Sequence, residues 1–230
     1  MNLLFDLDGT LTDPRQGILG CFKYALQRLQ LETPPAAELE RFIGPPLKES
    51  FAALVGSDDG ERVERAVTYY RERFAAQGIF ENEVYPGMVD ALSGLRDRGA
   101  FLFVATSKPT VFAERIVEHF ALGRFFGAVY GSELSGANAD KKTLLAHVLD
   151  AASLSPADTV MIGDRAHDVL GARANNVFPV GVLWGYGSRQ ELLLAGARLL
   201  CEEPSGLADV ASLANRLRVS ALNSALAGDS

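Results

Sequence analysis

The chain has 230 residues, nearly half of them apolar and about a fifth charged, enough for one large α/β domain or two modest ones around a buried core. Its formal charge of −7 and the lack of any basic run exclude non-specific attachment to nucleic acid, whose phosphates need clustered Lys and Arg. No apolar stretch approaches the roughly 20 residues of a membrane span, and the amino terminus enters a strand without a basic region and cleavage site, so no membrane partner and a cytoplasmic location are expected.

The first predicted strand is Leu3 to Phe5, followed at once by the acidic stretch "DLDGTLTD" from Asp6. Between Pro14 and Asn82 only helical periodicity is present. Ile18, Cys21, Phe22, Ala25, Leu26 and Leu29 recur at three- and four-residue spacing, and Val63, Ala66, Val67, Tyr70 and Phe74 repeat the pattern. "FIGPPLKESF" (Phe42 to Phe51) separates them as a rigid loop, because Pro45 and Pro46 cannot lie inside a helix. Turn residues in "ENEVYPG" (Glu81 to Gly87) then return the chain to alternating strands and helices. Strands are predicted at Phe101 to Ala105, Ala128 to Gly131, Thr159 to Ile162 and Pro179 to Val182, and all five strands read as too apolar for an exposed edge. The alternation implies a parallel sheet covered by helices, with an all-helical insertion after the first strand. The domains expected are residues 1–14 with 83–230, and residues 15–82, joined near Arg15 and Asn82. Cys21 and Cys201 are isolated and read as buried small apolar residues, with no zinc or disulfide framework. The tail "ALNSALAGDS" is expected to fray.

Ligands of such sheets bind beyond the carboxyl ends of the strands. Asp6 and Asp8 follow the first strand, Thr106 and Ser107 a second, and Asp164 and Asp168 a third in "TVMIGDRAHD". Lys141 opens a helix, where the positive end of the helix dipole disfavours a cation, so an anion must compensate it. Carboxylates without His or Cys select a hard ion, and Mg²⁺ characteristically takes one or two of them together with a substrate phosphate. Asp6 can then serve as metal ligand and nucleophile, and Asp8, returned to the same side by extended backbone, as general acid and base. Gly9 permits a tight turn near a phosphate, Thr106 or Ser107 can donate to phosphate oxygens, and Lys141 can neutralise charge that builds up in transfer.

"DLDGTLTD", "VATSKP", Lys141 and "GDRAHD" together resemble the motifs of the haloacid dehalogenase superfamily, specifically its phosphoglycolate phosphatase-like branch with a helical cap. The resemblance spans essentially the whole chain. It implies a three-layer Rossmann-like α/β core with a small all-helical cap, and a Mg²⁺-dependent phosphatase acting on a small phosphorylated metabolite through an aspartyl phosphate. It implies that Asp6, the Asp8 main-chain carbonyl and Asp164 bind the ion, that Asp168 supports its water shell, and that Thr106, Ser107 and Lys141 hold the phosphoryl group. "FIGPPLKESF" is similar to the cap loop that reads the leaving group, which adds Arg41, Gly44 and Lys48. Lys142 stands where many close relatives have proline, Ser107 where asparagine is common, and Arg165 where a small polar residue is frequent, while His167 is expected on a helix surface. Trp184 and Tyr186 are expected to pack a loop and Ser188 to cap the next helix. The alternatives are a sugar phosphomutase of the same fold or a phospho-acceptor signalling module, and the expected assembly is a monomer or homodimer.

Overall fold

Leu3, Leu4 and Phe5 are wholly buried although they point to alternate faces of their strand, as a central strand with helices on both sides requires. The computed structural model describes residues 1–56 and 60–228, with side chains through residue 217. In chain order the elements are β1 (Asn2–Phe5), β2 (Thr12–Asp13), α1 (Arg15–Arg28), α2 (Ala36–Leu39), α3 (Leu47–Val55), α4 (Gly60–Arg73), β3 (Glu83–Val84), α5 (Met88–Asp97), β4 (Phe101–Pro109), α6 (Thr110–His119), β5 (Phe126–Ser132), α7 (Lys141–Ala151), β6 (Thr159–Gly163), α8 (Ala166–Ala174), β7 (Phe178–Val182), α9 (Arg189–Ala195), β8 (Leu199–Cys201) and α10 (Leu207–Gly228). Six of the strands form one parallel sheet in the order β5-β4-β1-β6-β7-β8.

Three layers result. Leu3 and Phe5 join one apolar cluster with Leu92 and Leu95 of α5, Ile116 of α6 and Leu207 of α10. Leu4 joins another on the opposite face, with Leu144 and Val148 of α7 and Ala172 of α8. The sheet order changes direction at β1, whose neighbours β4 and β6 lead away to opposite edges. That is the switch point at which parallel sheets open a crevice for ligands.

Among the described residues from Pro14 to Asn82 there is no strand, and the predicted apolar faces of α1 and α4 are the buried ones. Phe22 anchors them, with its ring 5.1 Å from Phe51, 5.2 Å from Tyr70 and 6.0 Å from Phe42. Burial of Phe22, whose ring meets those of Phe42, Phe51 and Tyr70, contributes on the order of 3–5 kcal/mol by the cost of deleting such a side chain. The helical segment leaves and re-enters through β2 and β3, which pair antiparallel over only two residues each.

Three expectations are corrected. β5 is an edge strand despite its apolar sequence, because α6 and α7 cover its faces and an apolar strand needs covered faces more than two neighbours. β4 runs four residues past Ala105, so Thr106 and Ser107 lie within the strand, where the β4/β5 register shifts. The tail expected to fray is helical through Gly228, and residues 229–230 lie outside the described residues. Cys21 and Cys201 are buried, and burial pushes both thiols up to about 11.

Candidate active site

The carboxyl end of β1 delivers Asp6 into a buried position, 6% exposed, with its backbone N–H donating to the Ile162 carbonyl of β6 at 2.9 Å. The chain then turns through Gly9, whose φ of +81° disfavours other residues and whose missing Cβ would lie 2.3 Å from an Asp164 oxygen. The close approach of the first loop to β6 therefore depends on that glycine. Asp164 is held from both sides: the Tyr186 N–H donates to Oδ2 at 2.8 Å and the Thr10 hydroxyl to Oδ1 at 3.4 Å.

Lys141 supplies the compensation that its position on a helix demands. Its ammonium lies 2.9 Å from Asp6 Oδ1 and 2.8 Å from Asp168 Oδ1, and it donates to the Ala105 carbonyl at 3.0 Å. All three ammonium donors are thus used. Burial alone would pull the Lys141 pKa down; Asp168 and Asp6 outweigh it, and the ammonium is held charged above its ordinary range. Asp140 caps the helix by accepting from the Thr143 N–H at 3.0 Å.

Asp8 has its own cation. Lys108 Nζ lies 2.7 Å from Asp8 Oδ2 and 4.5 Å from the ring centroid of Phe74. Burial raises the Asp8 carboxyl above its ordinary value, and Lys108 only partly offsets this. Asp8 Oδ1 is buried with no hydrogen-bond partner among the described residues. Sequence reasoning passed over Lys108, although period-two alternation along β4 places it with Thr106. Beside these groups lies a cavity of about 380 Å³ lined by Asp6, Asp8, Thr106, Ser107 and Lys108 from the sheet side, by Phe112, and by Phe22, Phe42, Gly44, Pro46, Tyr70 and Phe74 from the helical segment.

The structure thus brings together Asp6, Asp8, Gly9, Thr106, Ser107, Lys141, Asp164 and Asp168, and brings Gly44 and Lys48 to the cavity. Lys48 pairs with Glu64 of α4, and Arg41 lies outside the cavity with its guanidinium over the Phe42 ring. Asp168 spends Oδ1 on Lys141 and Oδ2 on the Arg165 N–H. His167 is half-buried with its Nε2 enclosed, and so departs from the expected helix surface. Trp184 donates to the Thr10 carbonyl at 2.9 Å and Tyr186 to the Asp13 carboxylate, which fastens their loop over the first motif. Ser188 caps α9 as expected.

Asp6, Asp164 and Asp168 each present an oxygen within 4.8 Å of the others, all buried. Burial pushes Asp164 well above the usual carboxylate range, and Asp168 and Asp6 raise it further. One lysine does not relieve three crowded carboxylates. An all-oxygen donor set of this kind fits a hard divalent cation, Mg²⁺ in the first instance.

A sequence model of the haloacid dehalogenase-like hydrolases matches residues 3–182. The chain is 48% identical over 209 residues to a 5′-nucleotidase of Pseudomonas aeruginosa, covering 91% of this chain and 94% of that protein. It is 32% identical over 188 residues to a phosphoglycolate phosphatase of Caulobacter vibrioides, covering 80% and 79%. A crystal structure described as a predicted phosphatase from Clostridium acetobutylicum superposes with a TM-score of 0.87 at 43% identity, covering 90% of this chain and 96% of that one. The paired carboxylates after β1, the lysine opening α7 and the acidic end of β6 thus sit in a fold shared with these proteins, and the chain belongs to the haloacid dehalogenase-like hydrolases, on their phosphoglycolate phosphatase-like branch.

Proposed function

We propose that the protein is a Mg²⁺-dependent phosphomonoesterase that works through an aspartyl phosphate and takes nucleoside 5′-monophosphates. The observation that carries this reading is that Asp6 and Asp8 line an aromatic-rich cavity while Lys141 pairs with Asp6. Asp6, the Asp8 main-chain carbonyl and Asp164 would hold the ion, which when bound neutralises phosphoryl oxygens and polarises phosphorus toward attack. In the first half-reaction the Asp6 carboxylate bonds to phosphorus, the bond from phosphorus to the ester oxygen breaks, and Asp8 gives its proton to that oxygen. In the second, Asp8 takes a proton from water, the hydroxyl oxygen bonds to phosphorus, and Asp6 leaves as carboxylate with release of inorganic phosphate. A raised Asp8 pKa suits a group that must begin protonated. Lys141 fixes one Asp6 oxygen, and Thr106 and Ser107 supply hydroxyls along the phosphoryl side.

The choice of leaving group rests on size and lining. A two-carbon acid would leave most of a 380 Å³ cavity unfilled, whereas its aromatic-rich lining, in which Phe112 is only half-buried, offers apolar surface to a nucleobase. The 48% identical 5′-nucleotidase supports the same class. Residues 15–82 act as a cap over a core of residues 1–14 and 83–230, pivoting near Arg15 and Asn82. The test is phosphate release by the purified protein with Mg²⁺ from nucleoside 5′-monophosphates, 2-phosphoglycolate and hexose phosphates. Nucleotides are expected to give the highest kcat/KM, and Asp6→Asn to abolish turnover. Activity retained in Asp6→Asn sinks the covalent mechanism, preference for 2-phosphoglycolate sinks the substrate class, and phosphate returned to a hexose product identifies a mutase.

A further inference from the structure

Arg165 directly follows Asp164 in the chain, yet its side chain reaches into the helical segment. Its Nη1 donates to the Ile43 carbonyl at 2.7 Å, while its Nε donates to Glu191 Oε1 at 2.9 Å. Glu191 is itself fixed, since the same oxygen accepts from the Ala166 N–H at 2.8 Å. The guanidinium is therefore oriented by α9 and presented to a carbonyl of the loop Ile43 to Pro46. Gly44 packs directly on this side chain: a Cβ there would lie 3.3 Å from Arg165 Cγ, and its φ of +105° bends the loop at that contact. Gly44, Pro45 and Pro46 in turn line the cavity opposite Asp6 and Asp8.

We infer that Arg165 is a positioning residue for substrate selection: it ties the Ile43–Pro46 loop to the core and so sets the part of the cavity that receives the leaving group. The inference rests on the phosphatase reading. Only a fork-shaped cation can serve Glu191 and Ile43 together, because Nε and Nη1 diverge from one rigid plane, so lysine is a partial substitute. A charge-assisted hydrogen bond of this kind corresponds to roughly a 10- to 100-fold effect on an equilibrium.

The experiment compares wild type, Arg165→Met, Arg165→Lys and Glu191→Gln with Mg²⁺ present. A nucleoside 5′-monophosphate fills the cavity, and acetyl phosphate has a leaving group too short to reach the loop. For Arg165→Met the expected result is a loss of about 10- to 100-fold in kcat/KM for the nucleotide, mainly through KM, against less than about threefold for acetyl phosphate. Arg165→Lys and Glu191→Gln should fall between wild type and Arg165→Met. Amide hydrogen exchange across residues 42–48 gives a readout independent of turnover and should accelerate in the same order. Equal losses on both substrates overturn the inference, because they place the effect on Asp164, and so does unchanged exchange in a folded Arg165→Met variant. A wild type that hydrolyses neither compound refutes the phosphatase reading, and exchange alone then decides the tether. If Arg165→Met does not fold, Glu191→Gln carries the same comparison.

Discussion

Replacing Lys141 with methionine keeps the aliphatic stem and removes one buried charge that serves two carboxylates. Its ammonium lies within 3 Å of both Asp6 and Asp168, and the residue is 4% exposed. Breaking a buried pair by removing one partner costs about 3–5 kcal/mol, because the other charge stays behind unpaired. For a chain of this length each kcal/mol moves Tm by about 2–4 °C, so Lys141→Met should melt about 6–20 °C lower near neutral pH in EDTA. The dependence on pH separates this cause from a packing defect. Without the ammonium, the charge that most offsets burial at Asp168 is gone, so Asp168 is raised further beside the already raised Asp164, and the native state binds protons that the unfolded state does not. The stability of the variant then rises as pH falls, and its deficit should shrink between about pH 7.5 and pH 5.5. Thermal melts of both proteins across that range are the assay. A wild-type Tm at pH 7.5, or a deficit that grows on acidification, refutes the reasoning.

In the metal-free wild type, Asp164 and Asp8 have raised pKa values, so the stability they confer is present below those values and is lost as pH rises through them. Urea unfolding in EDTA should show stability falling from about pH 5 to pH 8, and Mg²⁺ should flatten the slope. Glu191 behaves oppositely: burial raises its carboxyl, but the Ala166 N–H and Arg165 outweigh this and lower it, so its contribution is present above its ordinary value of 4.5 and is lost as pH falls further. Comparison of wild type with Glu191→Gln in acid titration checks that sign. Gly9→Ala places a methyl 2.3 Å from an Asp164 oxygen at a positive φ, and should cost about 1–3 kcal/mol and weaken Mg²⁺ binding measured by calorimetry. Phe112→Leu should raise KM for a nucleotide by about threefold to tenfold with little change in kcat, as loss of a stacking face on the leaving group predicts.

Periodicity and turn chemistry were enough to read the order of elements, because the buried strands are β-branched or aromatic runs and the helices of the insertion carry complete apolar faces. β8 escaped because Leu199 to Cys201 is three residues long and looks the same as the end of a helix. The two-residue strands β2 and β3 escaped because they are defined by pairing across 70 residues, which local sequence does not contain. In the site, Asp6, Asp8, Lys141 and Asp164 were legible because a chain places such costly groups at strand ends and at a helix start only against compensation. Lys108 and Arg165 were not, since their partners Asp8, Glu191 and Ile43 come from remote segments. Arg41 was overread for the converse reason: a cation beside a proline loop is visible in sequence, but the ring it lies on is not.

The pairing of each early aspartate with its own lysine has a consequence for the order in which ligands arrive. Asp6, Asp8, Asp164 and Asp168 share Lys108 and Lys141, four carboxyl groups to two ammonium groups, within a protein already at −7. A phosphate dianion meets net repulsion there until a divalent ion reverses the local sign. The kinetic scheme expected of such a site is ordered, with the ion entering first and the phosphate second. Raising ionic strength should then weaken the first step, in which a cation meets an anionic pocket, more than it weakens the bare protein's aversion to its substrate.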